Sequence, residues 1–292
     1  MFFEETKFTG QLSDGPRSFE IGLVAKVGED CRLEIDPVAV SGKCYVAFSR
    51  GTGEPGGLAI QLQLSAKSES GILLFSNFIE VTGWSSGSKG FFLKLSALQA
   101  TIKVCRNATD GTSLKVAVKM SLRGFKSFRP RPVTSRCGEL SVHGSHKISS
   151  PDQVSGAILI SCSDTNPPDG WYTEAETLID FIWKGLQFGH GGRIQVPLVQ
   201  VYRPDSVTAT LYHGRGRSPH LPSIHFMDQS DFIAALVARW ESEHPFDEAV
   251  WLAVGWLNSD TSIDEVRYLT LMTALETILE NLTPDAQTMV IG

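Results

Sequence analysis

The stretch Arg123-Gly-Phe125-Lys126-Ser-Phe128-Arg129-Pro-Arg131 alternates cations with aromatic rings. Single-stranded nucleic acid is bound by such mixtures, because phosphates draw the cations while bases stack on the rings. The bland alternative is a basic edge strand with two buried phenylalanines, or a strip that docks on acidic helices. A second cluster, His213-Gly-Arg215-Gly-Arg217-Ser-Pro-His220, follows a strand-like run. Its glycines would let backbone amides approach an anion, and the forks of Arg215 and Arg217 add bidentate contacts beside His213. It lacks the Lys-Ser/Thr of a P-loop and does not open into a helix, so it is no Walker motif, and a plain surface connection is its other reading. His143-Gly-Ser-His146 has no nearby cysteine or acidic pair to complete a metal site. No metal and no cofactor is expected.

The elements that must position these residues fall into three stretches. Residues 1–165 read as short strands: Phe19 to Val24, Cys44 to Phe48, the alternating Leu58 to Leu64, Ile72 to Val81, Gly90 to Leu95, Thr101 to Cys105 and Leu114 to Met120. Ala157 to Ser161 is one more candidate strand. Punctuation by Ser13-Asp14-Gly15-Pro16 and similar turns, with almost no helical period, predicts a β-sandwich or jelly-roll-like unit. Asn166-Pro167-Pro168-Asp169-Gly170 is the expected boundary. A small α/β middle unit over 166–228 follows, opening on a helix with a Thr173/Glu176 capping box and the stripe Ala175, Leu178, Ile179, Ile182, Trp183 and Leu186. Gly189, Gly191 and Gly192 are expected to end it. Strands are predicted from Ile194 to Val201 and from Val207 to Tyr212.

The last stretch, 229–292, is helical. Ser230 is the expected cap of a helix with the stripe Phe232, Ile233, Leu236, Val237 and Trp240. Phe246, Ala249, Val250, Ala253, Val254 and Leu257 form a second stripe, and Tyr268, Leu271, Met272, Leu275, Ile278, Leu279 and Leu282 a third. Only Asn258 to Thr261 separates these two helices, which predicts an antiparallel αα-hairpin. Two such stripes cannot bury each other fully, so further helices or a partner are required.

Composition bounds the rest. Of 292 residues, 42% are hydrophobic and 20% charged, as in ordinary soluble proteins. No apolar run approaches the length that crosses a bilayer, and the N-terminus does not read as a secretory signal. Five scattered cysteines without a Cys-x-x-Cys pair fit reduced thiols and a cytoplasmic setting. The net charge of −6 is uneven: Lys119 to Arg136 holds six basic residues and no acidic one, whereas Asp228 to Asp285 holds twelve acidic residues against Arg239 and Arg267. The basic and acidic regions could attract each other or serve different partners.

The run Phe246 to Leu282, with an aromatic-rich first helix and Leu269-x-x-Met272-x-Ala274-Leu275-Glu276-x-x-Leu279 in the second, resembles the opening of a HEPN domain. It is most similar to the ApeA-like branch of bacterial anti-phage defence proteins, where a β-rich region precedes the helices. The resemblance implies a metal-independent ribonuclease acting on RNA, tRNA foremost, in abortive infection. A phage-derived trigger and a homodimer through the C-terminal helices are implied with it. In that family an Arg-x(4–6)-His motif follows the helix pair: Arg stabilises the developing phosphorane, and His orients the 2′-hydroxyl or protonates the leaving oxygen. No such motif lies after Leu282 here. Of the three matches elsewhere, Arg136 to His143 lies in strand or loop, and Arg215 to His220 contains Gly216 and Pro219. Only Arg239-Trp-Glu-Ser-Glu-His244 suits a helix, and it precedes the pair. His244 is also explained by the dipole at a helix C-terminus.

The expectation is therefore an α+β protein that senses and dimerises for a HEPN-family ribonuclease without an evident active site of its own. The competing class is a non-catalytic ligand- or nucleic-acid-binding module or an inhibitory subunit. A carbohydrate-binding sandwich would need an aromatic platform, for which Trp84 is the one obvious candidate.

Overall fold

The computed structural model describes residues 4–49, 61–88, 90–105, 115–127, 130–145, 152–190, 193–214, 224–225, 227–242, 246–257 and 264–282. Seven strands come first: β1 Thr6–Ser13, β2 Ser18–Val27, β3 Leu33–Ile35, β4 Val38–Val40, β5 Leu62–Ser68, β6 Leu73–Gly87 and β7 Gly90–Cys105, with α1 Gly42–Ser49 between β4 and β5. Next are β8 Ala117–Arg123, β9 Val133–Ser135, β10 Gly138–Gly144, β11 Val154–Ser161, α2 Trp171–His190, β12 Gln195–Tyr202 and β13 Ser206–Tyr212. Three helices close the order: α3 Gln229–Glu241, α4 Glu248–Leu257 and α5 Asp264–Leu282. The class is α+β, as expected.

Alternation makes the strands. In β5 the side chains of Leu62, Leu64, Ala66 and Ser68 are buried while those between them face out. Where the apolar run is short, the period is ambiguous, and Cys44 to Phe48 is a correction of this kind. It forms α1 instead of a strand, and its two buried residues, Cys44 and Phe48, stand four apart as a helix requires. The two strands expected at Gly90 to Leu95 and Thr101 to Cys105 are one, β7, paired with β6 through register shifts between Phe75 and Phe78 and beyond.

All the strands belong to one antiparallel sheet ordered β3-β2-β1-β5-β6-β7-β13-β12-β8-β11-β10-β9, with β4 added to β7. The strands of the expected first unit and those of the expected middle unit are thus hydrogen-bonded together: β13 pairs β7, and β12 pairs β8. Alternation shows that a segment is a strand but does not name its neighbours. The first half of the sheet curls round, because β3 pairs β2 while β4, two residues further on, pairs β7. The face it encloses carries Phe8, Leu12, Leu23, Leu64, Ile79 and Leu93, with Phe48 from α1 edge-on to Phe19 at 5.3 Å.

A second core lies where β8, β10 and β11 meet α2 and α3. Leu178, Ile179, Ile182 and Leu186, spaced by three and four, place one face of α2 on the sheet. Each such side chain contributes about 1.5–3 kcal/mol by burial. The expected cap at Thr173 is not used as one. The helix starts at Trp171 after a turn in which Gly170 has φ +83°, and Thr173 lies inside, its carbonyl accepting from the Thr177 hydroxyl at 2.9 Å. Trp171 fixes the start: it is buried, and its indole donates to the Cys137 carbonyl at 2.8 Å.

α2 ends at His190, inside the glycine run expected to end it. A Cβ on Gly189 would meet Ile224 Cδ1 at 2.6 Å, and a Cβ on Gly185 would meet Leu236 Cδ1 at 2.6 Å. The two glycines form the seam on which α3 rests; Gly191 and Gly192 lie outside the described residues. Ser230 is likewise no cap. Asp228 precedes α3 without a side-chain cap bond, and the Ser230 hydroxyl accepts from the Arg131 amide at 3.1 Å. α4 begins where Asp247 Oδ1 accepts from the Ala249 amide at 2.8 Å, and Trp251 meets Phe181 of α2 edge-on at 5.1 Å. α5 packs on α4 with Ala274 fully buried, while Tyr268, Leu269 and Leu279 are each 60% or more exposed.

Candidate functional site

A cleft of about 910 Å³ opens between the sheet and the helices α2 and α4. Its floor is Met120 and Val199, from β8 and β12. One wall is a face of α2 beside the core: Asp180, Trp183, Lys184 and Gln187, again three and four apart, with Trp183 also packed against the core. The other wall comes from Glu248, Trp251 and Leu252 of α4. Arg193, Gln195, Tyr212 and His213 stand where β12 begins and β13 ends. The register of β12 against β8 shifts between Gln195 and Leu198, around Pro197. Such a bulge re-aims the side chains beside it, and here it lies in the cleft wall.

Arg123 is the most unusual residue at this site. It is 1% exposed, and its guanidinium donates from Nη1 to the Gly214 carbonyl at 3.0 Å and from Nη2 to the Asp30 carbonyl. Nε has no partner among the described residues. Arg32 lies beside it, bonded to Asp152 Oδ1 at 2.9 Å and paired with Asp30 at 3.3 Å. Burial lowers the affinity of Arg123 for its proton, and the neighbouring Cys31 thiol partly offsets this. Burial also raises the Cys31 pKa, against the pull of Arg123. Cys31 has φ 58°, a left-handed conformation that a side chain seldom adopts.

Two of the predicted clusters meet here. Gly214 follows His213, the start of the expected anion loop, and receives Arg123, the start of the expected nucleic-acid stretch. His213 is exposed and its amide donates to the Leu98 carbonyl at 2.8 Å, while Arg215 and Arg217 lie outside the described residues.

Within the aromatic-basic stretch, Phe125 is a correction. Phe125 is 3% exposed, with its ring 5.6 Å from that of His190, so no base can stack on it. The Lys126 amide donates to His190 Nε2 at 3.2 Å. Arg131 is exposed, but its backbone is held by Ser230; Phe128 and Arg129 lie outside the described residues. The segment is a docking strip for α3: the Ser127 hydroxyl donates to Gln229 at 2.9 Å and the Arg136 amide to Glu241 at 2.7 Å. The Arg136 guanidinium pairs with Glu174 at 2.6 Å and covers Trp240 at 4.1 Å. The one ion pair among these contacts reaches α2, and the hydrogen bonds to α3 come from backbone amides and an uncharged side chain.

Arg239 sits near the end of α3, exposed, with its guanidinium 4.8 Å above the Phe246 ring. Beside it is an apolar pocket of about 200 Å³ bounded by α2, α3, α4 and Ile278 of α5. His244 lies outside the described residues. Gln195, Arg193 and Asp180 were missed as site residues; the one available signal was a glutamine two positions before a proline at the start of an apolar strand. Among the described residues no three His, Cys, Asp or Glu side chains gather as metal ligands would, and no helix is long and apolar enough to cross a membrane. All five cysteines are free.

No family model, no curated protein and no solved structure matches the chain.

Proposed function

We propose that this chain is the sensing and self-associating portion of a HEPN-family anti-phage ribonuclease, whose intact form cleaves RNA, tRNA foremost. The observation that carries the reading is the exposed apolar face of α5. Tyr268, Leu275 and Leu279 are 64%, 48% and 60% exposed on a helix that otherwise packs on α4. Apolar side chains concentrated in this way suit burial against further helices or a second copy. The sheet-rich part would recognise a phage-derived trigger or restrain the helices. Arg239, engaged by Phe246, is poorly placed to stabilise a phosphorane, so this chain is expected to lack efficient turnover.

The test combines two measurements. Light scattering should show an oligomer that Leu275→Asp with Leu279→Asp dissolves, and bulk tRNA on a denaturing gel should remain intact. A monomer at every concentration removes the self-association, and tRNA cleavage lost in His244→Ala would place the active site at Arg239 and His244. The second reading, a ligand-binding module, is favoured by the cleft and its buried Arg123.

A further inference from the structure

We propose that the cleft between the sheet and the helices α2 and α4 binds a nucleoside phosphate, its phosphate toward Arg123 and Arg193 and its base toward Asp180 and Glu248. The first support is a pair of incomplete polar groups. Arg123 Nε and Gln195 Oε1 are both buried, and neither has a hydrogen-bond partner among the described residues. The two residues are direct cross-strand neighbours on β8 and β12, and both line the cleft. Buried polar atoms in folded proteins are nearly always satisfied, so this pair calls for one acceptor and one donor side by side. A phosphate oxygen supplies the acceptor, and a sugar hydroxyl next to it supplies the donor. Orthophosphate also carries an acceptor and a P–OH donor, but it has neither sugar nor base to engage the rest of the cleft.

The second support is how charge is distributed along the cleft. Lys184 is already bridged to Asp180 at 3.1 Å and lies 4.0 Å from Glu248, so that end is acidic on balance. Arg193 pairs with no carboxylate among the described residues, and it shares the opposite end with Arg123 and His213. A rise of ~1.5 Å per residue separates Asp180 from Gln187 by about 10 Å along α2. The cleft therefore presents Arg193 just past the end of α2 and Asp180 more than two turns back along it, cations toward one end and carboxylates toward the other. Carboxylates accept from the exocyclic amine of a base, as cations take up its phosphate. Between the two ends stands Trp183, whose indole is fixed by donating to the Ile194 carbonyl at 3.0 Å and whose ring offers a base a flat surface.

This inference holds whether or not α4 and α5 belong to a HEPN domain, and its readout is affinity, which neither tRNA cleavage nor oligomeric state reports. The full chain is titrated calorimetrically with AMP, ribose 5-phosphate, adenosine and orthophosphate. AMP should bind most tightly, ribose 5-phosphate more weakly, and adenosine and orthophosphate at least tenfold more weakly than AMP. Arg193→Glu, at an exposed position, should weaken AMP at least tenfold with the melting temperature of the free protein unchanged. Asp180→Asn should weaken AMP while sparing ribose 5-phosphate. Orthophosphate binding as well as AMP would reduce the site to an adventitious ion only. AMP that fails to bind, or binds Arg193→Glu as tightly as the parent, overturns the proposal.

Discussion

Arg123 shows how residue type and residue role part company. By type it belongs with nucleic-acid contacts, and its neighbours Phe125 and Lys126 strengthen that reading; by position it is a buried clamp between the Asp30 and Gly214 carbonyls. Composition is legible in a sequence, but burial at the end of a strand is decided by partners far along the chain. Arg123→Leu removes a charged donor and strands two carbonyls, so urea denaturation should show a loss of about 2–4 kcal/mol. The cysteines were more readable, since their scatter already spoke for free thiols. Burial holds Cys44 and Cys137 at about 11, from an ordinary thiol value of 9.0. The folded protein therefore keeps protons that the unfolded chain releases above pH 9.0. Their contribution to stability is whole below that pH and is lost as the pH climbs toward 11, so the urea midpoint should fall across this window. Cys105, the exposed thiol, should be alkylated first in the native protein, and the other four only on unfolding.

Among the elements, the helices declared themselves through their stripes, and α2 buries the residues its spacing selects. Their ends were harder to place. Thr173 and Ser230 have the right chemistry for caps, yet a buried Trp171 and a docked Arg131 decide where they sit. Gly185 and Gly189 illustrate the same limit, because a glycine that ends a helix and one that admits a neighbour look alike in sequence. Gly185→Ala gains about 1 kcal/mol of helix propensity but loses about 1–3 kcal/mol by pressing on Leu236. A net drop in thermal stability is expected, with Leu236→Ala added to the same chain showing less than the summed loss. Stability unchanged in Gly185→Ala would mean that α3 can shift away freely.

For the molecule as a whole, the sheet order matters more than the stretches into which composition divides it. The hairpin of β12 and β13 stands between β7 and β8, so residues 1–165 contain two strands whose partners come later. Expressed alone, that fragment should aggregate or give poorly dispersed amide resonances; a soluble, cooperatively melting fragment would show that the first half of the sheet is self-sufficient. The hairpin's place also bears on how the protein is made. β8 leaves the ribosome well before the segment that joins it to β7, a wait on the order of ten seconds at ordinary synthesis rates. Until Tyr212 has emerged, two edges rich in unpaired amides and carbonyls are open to other chains. Folding is then completed from the middle of the sheet by a late arrival, and a cell short of chaperones should lose this protein during synthesis sooner than after it.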